Sequence, residues 1–467
     1  MKKRTQILLL IIFSIASLMA DSEKISLEDC HKLAIENNHE LKAANSLLEA
    51  TKFEKKAAFS NFLPSINFVG TYTLVSKKVS FDLPKFEDLP VYSQDPQGNP
   101  IQIGMVPLSK MGLPTEIEVG EKNNFLFNLS LTQPIYTGGK IQEGYRIREK
   151  LADISENKLK LTKSELLYRV DKYFWQAVSL SEKVKLVKEY IKMIDSHITD
   201  INNYIDEGIL TKNYLLKAKI KKREAELNLL KAENGLHLTK MALNQAVGRD
   251  INREFTPDYD LDKISNSNII GAKDSLKQVA RRDREEIKIL DNMKSIANSF
   301  RKIERSRFLP NLALNGGYSL MNPNPYNSMK DEFDGDYNIS LVCNLEIFHF
   351  FERKNRYDAA KERLKAASEN LLKAKEMIDL DINKQIYNIS EASKKIEKAK
   401  EMLLQAEENL KETKDHFKEG IVNSSEVLDA QTLWQESFSE KIDAIIGYKL
   451  AMVELKKATG ELGNLKQ

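Results

Sequence analysis

Few residues of this 467-residue chain are grouped in a way that could do chemistry. The sharpest grouping lies in GIVNSSEVLDAQ, where Glu426 and Asp429 stand three apart, so a helix would put both carboxylates on one face. Carboxylates so placed attract cations. Asn423 with an acid three residues on is also a capping-box pattern, which gives Glu426 a purely structural use. The acidic run DEFDGD from Asp331 to Asp336 is like a calcium loop, but Lys330 and Leu341 stand where an EF-hand needs ligands, and a turn between strands explains it. His31, His39, His197, His237, His349 and His416 follow no HExxH or other metal spacing, and neither a GxSxG elbow nor a phosphate-cradling glycine loop is present. No catalytic residue, metal or cofactor is expected, and Tyr136 and Trp175 read as packing or interface residues. Cys30 and Cys343 are too few for a disulfide scaffold.

The carboxylates follow a helix break that occurs twice. Glu207, Gly208 and Ile209 recur as Glu419, Gly420 and Ile421, 212 positions on, each time after a long stretch of helical pattern. The same offset pairs Ile135 and Tyr136 with Ile347 and Phe348, Ala218 with Ala430, and Gly248 with Gly460. Upstream the offset is 246, with Phe62, Leu63 and Pro64 recurring as Phe308, Leu309 and Pro310. The chain is therefore two copies of one plan, the first carrying 34 extra residues between Leu74 and Ile135. Glycine closes a long helix cheaply in the left-handed conformation, and Thr211 or Asn423 can then cap the returning helix.

Within each copy the period changes. Ile66 to Val75 and Phe125 to Gln133 alternate at period two, with Phe125, Phe127, Leu129 and Leu131 on one face; Leu312 to Leu320 and Tyr337 to Leu345 repeat this. Half of all the prolines crowd between Val75 and Asn124, which reads as a long loop. Later, Leu364, Leu371, Ile378, Ile389, Ile396, Leu403, Leu410 and Phe417 run in sevens apart from one step of eleven, accompanied by Ala367, Ala374, Ala392, Ala399 and Ala406. That is the pattern of helices packed in coiled-coil fashion. The first copy repeats it as Ala152, Leu159, Leu166, Ala177, Val184, Ile191, Ile198 and Ile205. A helix from 351 to 417 would be on the order of 100 Å long.

Residues 1–20, with Lys2, Lys3 and Arg4 before an apolar run, read as a secretory signal peptide. Without it, basic and acidic residues balance at 68 each, which offers no electrostatic case for nucleic acid. The expected division is a first repeat at 21–248, with a β-hairpin at 62–134 and a helical hairpin at 139–247; a linker at 249–273; and a second repeat at 274–467, with a β-hairpin at 308–348 and a helical hairpin at 351–460. Strands of about ten residues suit the outer membrane, where only closed barrels satisfy the backbone. Four strands cannot enclose a lumen, whereas a trimer would supply twelve.

The signal peptide, the duplication, FLPSI and FLPNL before strands, TQPIYTGGK at a strand-to-helix junction, and EGI followed by VLDAQ together resemble the TolC family of outer-membrane efflux proteins. The resemblance covers essentially the whole mature chain. It implies a mainly α fold with a small β part: a homotrimer with a shared 12-stranded β-barrel in outer-membrane lipid, continued by a periplasmic α-helical barrel. It also implies a periplasmic adaptor and an inner-membrane pump as partners, in a tripartite efflux or type I secretion system. Gly208, Ile209, Gly420 and Ile421 then become hairpin tips that contact the adaptor. Glu426 and Asp429 become an acidic ring at the periplasmic entrance, which the first copy cannot match because Lys217 stands at the position of Asp429. Tyrosine and arginine links in the family's closed entrance fall here on Phe417 and Val422; Phe417 is expected either as an apolar entrance constriction or as heptad core. The alternative reading is a periplasmic coiled-coil scaffold without a pore, and a second is a porin for uptake.

Overall fold

The computed structural model describes residues 23–464 apart from 86, 113, 262–272 and 328. The expected signal peptide and much of the expected linker lie outside the described residues. In chain order the first copy holds β1 (Glu23–Ile25), α1 (Leu27–Asn37), α2 (His39–Phe59), β2 (Ser65–Leu74), β3 (Val79–Asp82), β4 (Leu89–Gln94), β5 (Pro100–Val106), β6 (Glu116–Val119), β7 (Asn123–Tyr136), α3 (Lys140–Asp206) and α4 (Lys212–Ala246). After β8 (Phe255–Pro257), the second holds α5 (Lys273–Asp283), α6 (Glu285–Ser306), β9 (Asn311–Asn322), β10 (Asp334–Asn344), α7 (Glu352–Lys418) and α8 (Ser424–Thr459). The chain divides into two compact units that each draw on both copies: one of residues up to 54, 147–298 and 362 onward, the other of 55–146 and 299–361. Among the described residues no helix is long and apolar enough to cross a membrane.

The second unit is built on one antiparallel sheet ordered β10-β9-β7-β2. Its register assigns the faces. Phe68 opposes Leu129 and Ile66 opposes Leu131; Leu129 opposes Tyr318 and Phe127 opposes Leu320; Tyr318 opposes Tyr337 and Leu314 opposes Leu341. Every strand therefore sends its apolar series to the same face. The other face collects Asn67 and Thr71, Asn128 and Ser130, Asn315 and Ser319, and Asn338 and Ser340. Two-sided alternation of this kind, with the apolar side left exposed, is the pattern of a sheet between lipid and water. Both edges, β2 and β10, are unpaired among the described residues.

The proline-rich stretch differs from the expected loop. It is a nested pair of ladders, β3 with β6 and β4 with β5, joined by regular antiparallel pairing except for a register shift between Val91 and Tyr92. Pro90 and Pro100 lie in two-stranded ribbons, where every strand is an edge and the missing N–H can face solvent.

In the first unit the core gathers Leu166, Val170, Phe174 and Val178 from α3, Cys30 and Ala34 from α1, Leu243 and Ala246 from α4, Phe255 from β8, and Ile442 and Ile446 from α8. Burial pushes the Cys30 thiol up to about 12, so it stays an inert apolar filler. β8 pairs in parallel with β1, placing part of the expected linker against the start of the described chain. Along α7 the heptad series Leu371, Ile378, Ile389, Ile396, Leu403 and Leu410 is buried, and Ile382 and Ile386 bridge the eleven-residue step as the pattern requires. Its first-copy counterpart keeps that register at Leu166, Ala177 and Val184 and departs from it toward the tip of the hairpin. In α3 it is Tyr190, Ile194 and Ile201 that are fully enclosed, because the helix has partners on two sides, Ala225 and Ala218 of α4 and Leu428 of α8. A single seven-residue stripe describes a helix with one partner face, and α3 has two.

Candidate functional site

The two helical hairpins close with the same backbone. Gly208 and Gly420 adopt φ of +77° and +76°. The Ile209 N–H donates to the Tyr204 carbonyl at 2.8 Å and the Gly208 N–H to that of Ile205 at 3.0 Å; Ile421 and Gly420 donate likewise to His416 and Phe417 at 2.9 and 3.1 Å. Each is a Schellman motif, which satisfies the last carbonyls of a helix through a left-handed residue. Ile209 and Ile421, which follow, are both exposed.

The returning helices start differently. Asn423 accepts from the backbone N–H of Ser425 and Glu426, and the Glu426 carboxylate lies 2.8 Å from Asn423 Nδ2 and 3.4 Å from its backbone N–H, a complete capping box. Thr211 is the N-cap residue of α4, as expected, but its hydroxyl makes no capping bond. Glu426 thus holds the turn together while remaining exposed. Asp429, one turn on, is exposed, and its carboxylate has no hydrogen-bond or ion-pair partner among the described residues. At the equivalent position Lys217 places its ammonium 5.9 Å from the Tyr214 ring. The second tip alone therefore presents two carboxylates on one helical face.

Phe417 turns inward. It is 7% exposed, with ring centroids 5.0 Å from His197 and 5.5 Å from Tyr204 in edge-on contact. Its heptad position packs it against α3, so within this chain it is a buried residue, as the heptad reading expects.

That packing reveals a residue that reasoning from motifs missed. His197 on α3 is 3% exposed, and its Nε2 lies 2.9 Å from Ser424 Oγ and 3.2 Å from the Ser424 carbonyl oxygen at the start of α8. A carbonyl only accepts, so the pair needs the proton on Nε2. Burial holds the imidazole below its ordinary pKa, only partly offset by the bond to Ser424. A neutral histidine thus joins the first tip to the second. Its only sequence signal is its place in the series Ile194, His197, Ile201, which reads as core.

Among the described residues no group of three or more His, Cys, Asp or Glu side chains is placed to hold a metal ion. The features that remain among the described residues are a sheet with one apolar and one polar face, the pattern of a sheet between lipid and water, and a pair of unequal, partly acidic tips.

Comparison with known proteins agrees. The family model described as outer membrane efflux protein matches residues 31–249 and 295–461, one segment in each copy. Among solved structures, the outer membrane channel CmeC of Campylobacter jejuni is similar with a TM-score of 0.73 at 17% identity, covering 94% of this chain and 86% of that one. The outer membrane protein VceC of Vibrio cholerae gives 0.72 at 14%, covering 93% and 96%. The MtrE outer membrane channel of Neisseria gonorrhoeae, in its open state, gives 0.72 at 16%, covering 93% and 88%. No curated protein sequence matches significantly. These likenesses fix the fold as that of a TolC-like channel protomer, mainly α with a smaller β part. With both of its repeats matched, this chain belongs to the outer membrane efflux protein family.

Proposed function

We propose that three copies of this chain close their sheets into one 12-stranded barrel in the outer membrane, joined to a periplasmic tunnel of long helices, and that the assembly is the passive exit duct of a tripartite efflux or type I secretion system. The observation that carries this reading is the open sheet. Its apolar face is exposed, its polar face is suited to line water, and two edges are left unpaired among the described residues. In lipid an unpaired edge is costly for every backbone group. Because each neighbouring pair is antiparallel, β2 and β10 run in opposite directions. The β10 of one copy can therefore pair with β2 of the next and preserve the alternation around an even-numbered barrel.

The division into repeats at 21–248 and 274–467 belongs to the same reading, each repeat supplying one strand pair and one helical hairpin. Gly208, Ile209, Gly420 and Ile421 are assigned to contact with the adaptor through the exposed isoleucines, and Glu426 with Asp429 to an acidic ring at the entrance that favours cations. Drugs, toxic compounds or proteins would pass without chemistry, the choice of cargo resting with the pump. A pore-free scaffold would have no use for a lipid-like sheet face.

Edge pairing is directly testable because Cys343 on β10 is exposed and Cys30 is buried. Single cysteines scanned along β2 from Ser65 to Leu74 and oxidised in the membrane should link to Cys343 of a neighbouring copy. Linkage is expected at even-numbered positions, which share its face, and should yield species up to three chains. No intermolecular link at any position would overturn the trimeric barrel.

A further inference from the structure

The junction from strand to helix is built twice, with different residues. In the first copy Gly138 and Gly139 precede α3 with φ of +62° and +90°. A Cβ on Gly138 would stand 2.9 Å from the Ser306 carbonyl oxygen and 3.1 Å from Leu309 Cβ, so a side chain has no room there. At the matching positions of the second copy stand Phe350 and Phe351, whose φ of +34° and +63° keep the left-handed backbone. For a bulky residue that conformation is a strained outlier.

Packing inside the chain does not recover this. Phe350 is 83% exposed and Phe351 69%, and they share an exposed cluster with Phe348 and Ile347. The Phe348 ring centroid lies 5.3 Å from that of Phe350 and 6.2 Å from that of Phe351. Arg353 fixes the turn by donating to the carbonyls of Arg307, Glu346 and Ile347. Two strained phenylalanines held outward by a pinned turn need a partner outside the chain.

The surroundings identify that partner. Tyr337, Ile339, Leu341 and Cys343 form the exposed apolar face of β10, and Leu345 and Ile347 continue the same alternation, both exposed. The aromatic cluster is thus the terminus of the apolar stripe. Immediately beyond it Lys354 is exposed on the first turn of α7, next to Arg356, whose guanidinium is paired with Glu352. Apolar surface, then aromatic rings, then cations is the order met on leaving a bilayer, where rings sit at headgroup level and Lys or Arg meets phosphate.

We propose that Ile347, Phe348, Phe350 and Phe351 form a lipid-interface anchor in the periplasm-facing leaflet, with Lys354 directed to its phosphates. The second copy accepts backbone strain to extend this anchor by Phe350 and Phe351, whereas the first, with glycines at those two positions, exposes only Ile135 and Tyr136. The anchor rests on the reading that the apolar face of β10 meets lipid.

The test uses the full chain reconstituted in phosphatidylcholine–phosphatidylglycerol vesicles whose acyl chains carry bromine either near the headgroup or near the bilayer centre. Tryptophan is introduced as Phe350→Trp or, leaving both left-handed positions intact, as Phe348→Trp; Ile339→Trp reports on the strand. Quenching is read on the fluorescence added over the parent protein. At the junction, shallow bromine should quench about twofold or more better than deep bromine, with the reverse order at Ile339→Trp. If Ile339→Trp is quenched and neither junction tryptophan is, the anchor is wrong and a second copy covers the cluster while the barrel stands. If none of the three is quenched, the barrel reading fails and the anchor with it.

Discussion

Ile339 and Ser340 are neighbours at the middle of β10, and the register sends them to opposite faces: Ile339 opposes Gly316 on the apolar side and Ser340 opposes Asn315 on the polar side. Replacing each in turn by arginine therefore asks which face meets lipid. Ile339 is 75% exposed in the isolated chain, so packing against other residues of the protomer contributes little to either result. Arginine at the bilayer midplane of a barrel costs about 2–4 kcal/mol, which is about thirtyfold to several hundredfold in the folding equilibrium. Arginine facing water on the polar side should stay within about 0.5 kcal/mol of the parent. The assay is urea-dependent folding of the denatured chain into vesicles, with the folded fraction read by its altered electrophoretic mobility without heating. Ile339→Arg should shift the midpoint strongly to lower urea and Ser340→Arg barely. Equal shifts, or a larger one for Ser340→Arg, would refute the assignment of faces.

At the turns, Gly420→Ala meets nothing within 4 Å, whereas a Cβ on Gly248 would stand 2.7 Å from Asn37 Cβ and 2.8 Å from its carbonyl carbon. Both glycines are left-handed, so each alanine should cost about 1 kcal/mol in backbone strain, with roughly 1–3 more for overpacking at Gly248 alone; indistinguishable melting points would contradict this. Asn423→Ala removes the capping box and should cost about 1 kcal/mol, while Asp429→Asn, at a residue with no partner among the described residues, should leave thermal stability unchanged. Burial keeps His197 neutral beside Ser424, with Asp200 on its own helix and Lys414 of α7 also acting on it. A depressed folded pKa means that full stability is present above the ordinary value near 6.5 and declines as pH falls from there toward the folded value, by at most about 1.4 kcal/mol per pH unit. Amide exchange at both tips should thus be faster at about pH 5.5 than at about pH 7.5 after correction for intrinsic rates, and His197→Gln should abolish the difference; a pH-independent tip in the parent would count against it.

Much of this architecture is legible in the sequence where a period is long enough to count. The strands expected at Ile66 to Val75 and Tyr337 to Leu345 are found at Ser65–Leu74 and Asp334–Asn344, because a sheet with unlike faces writes period two into its residues. The helix expected over 351 to 417 is Glu352–Lys418. The pairing of β1 with β8 left no such trace, since three residues cannot show a period. Prolines hid the β3–β6 and β4–β5 ladders, although ribbon edges tolerate them. At the tips the glycines and the capping box follow from local chemistry alone. The bond from His197 to Ser424 does not, for it joins residues 227 apart whose proximity depends on how two hairpins pack.

The central claim is that the assembled protein conducts. The purified, reconstituted oligomer in a planar bilayer should give discrete, cation-selective current steps, and changing Glu426 and Asp429 together to alanine should lower the selectivity while leaving the steps. Folded, membrane-inserted oligomer that carries no current would contradict the account.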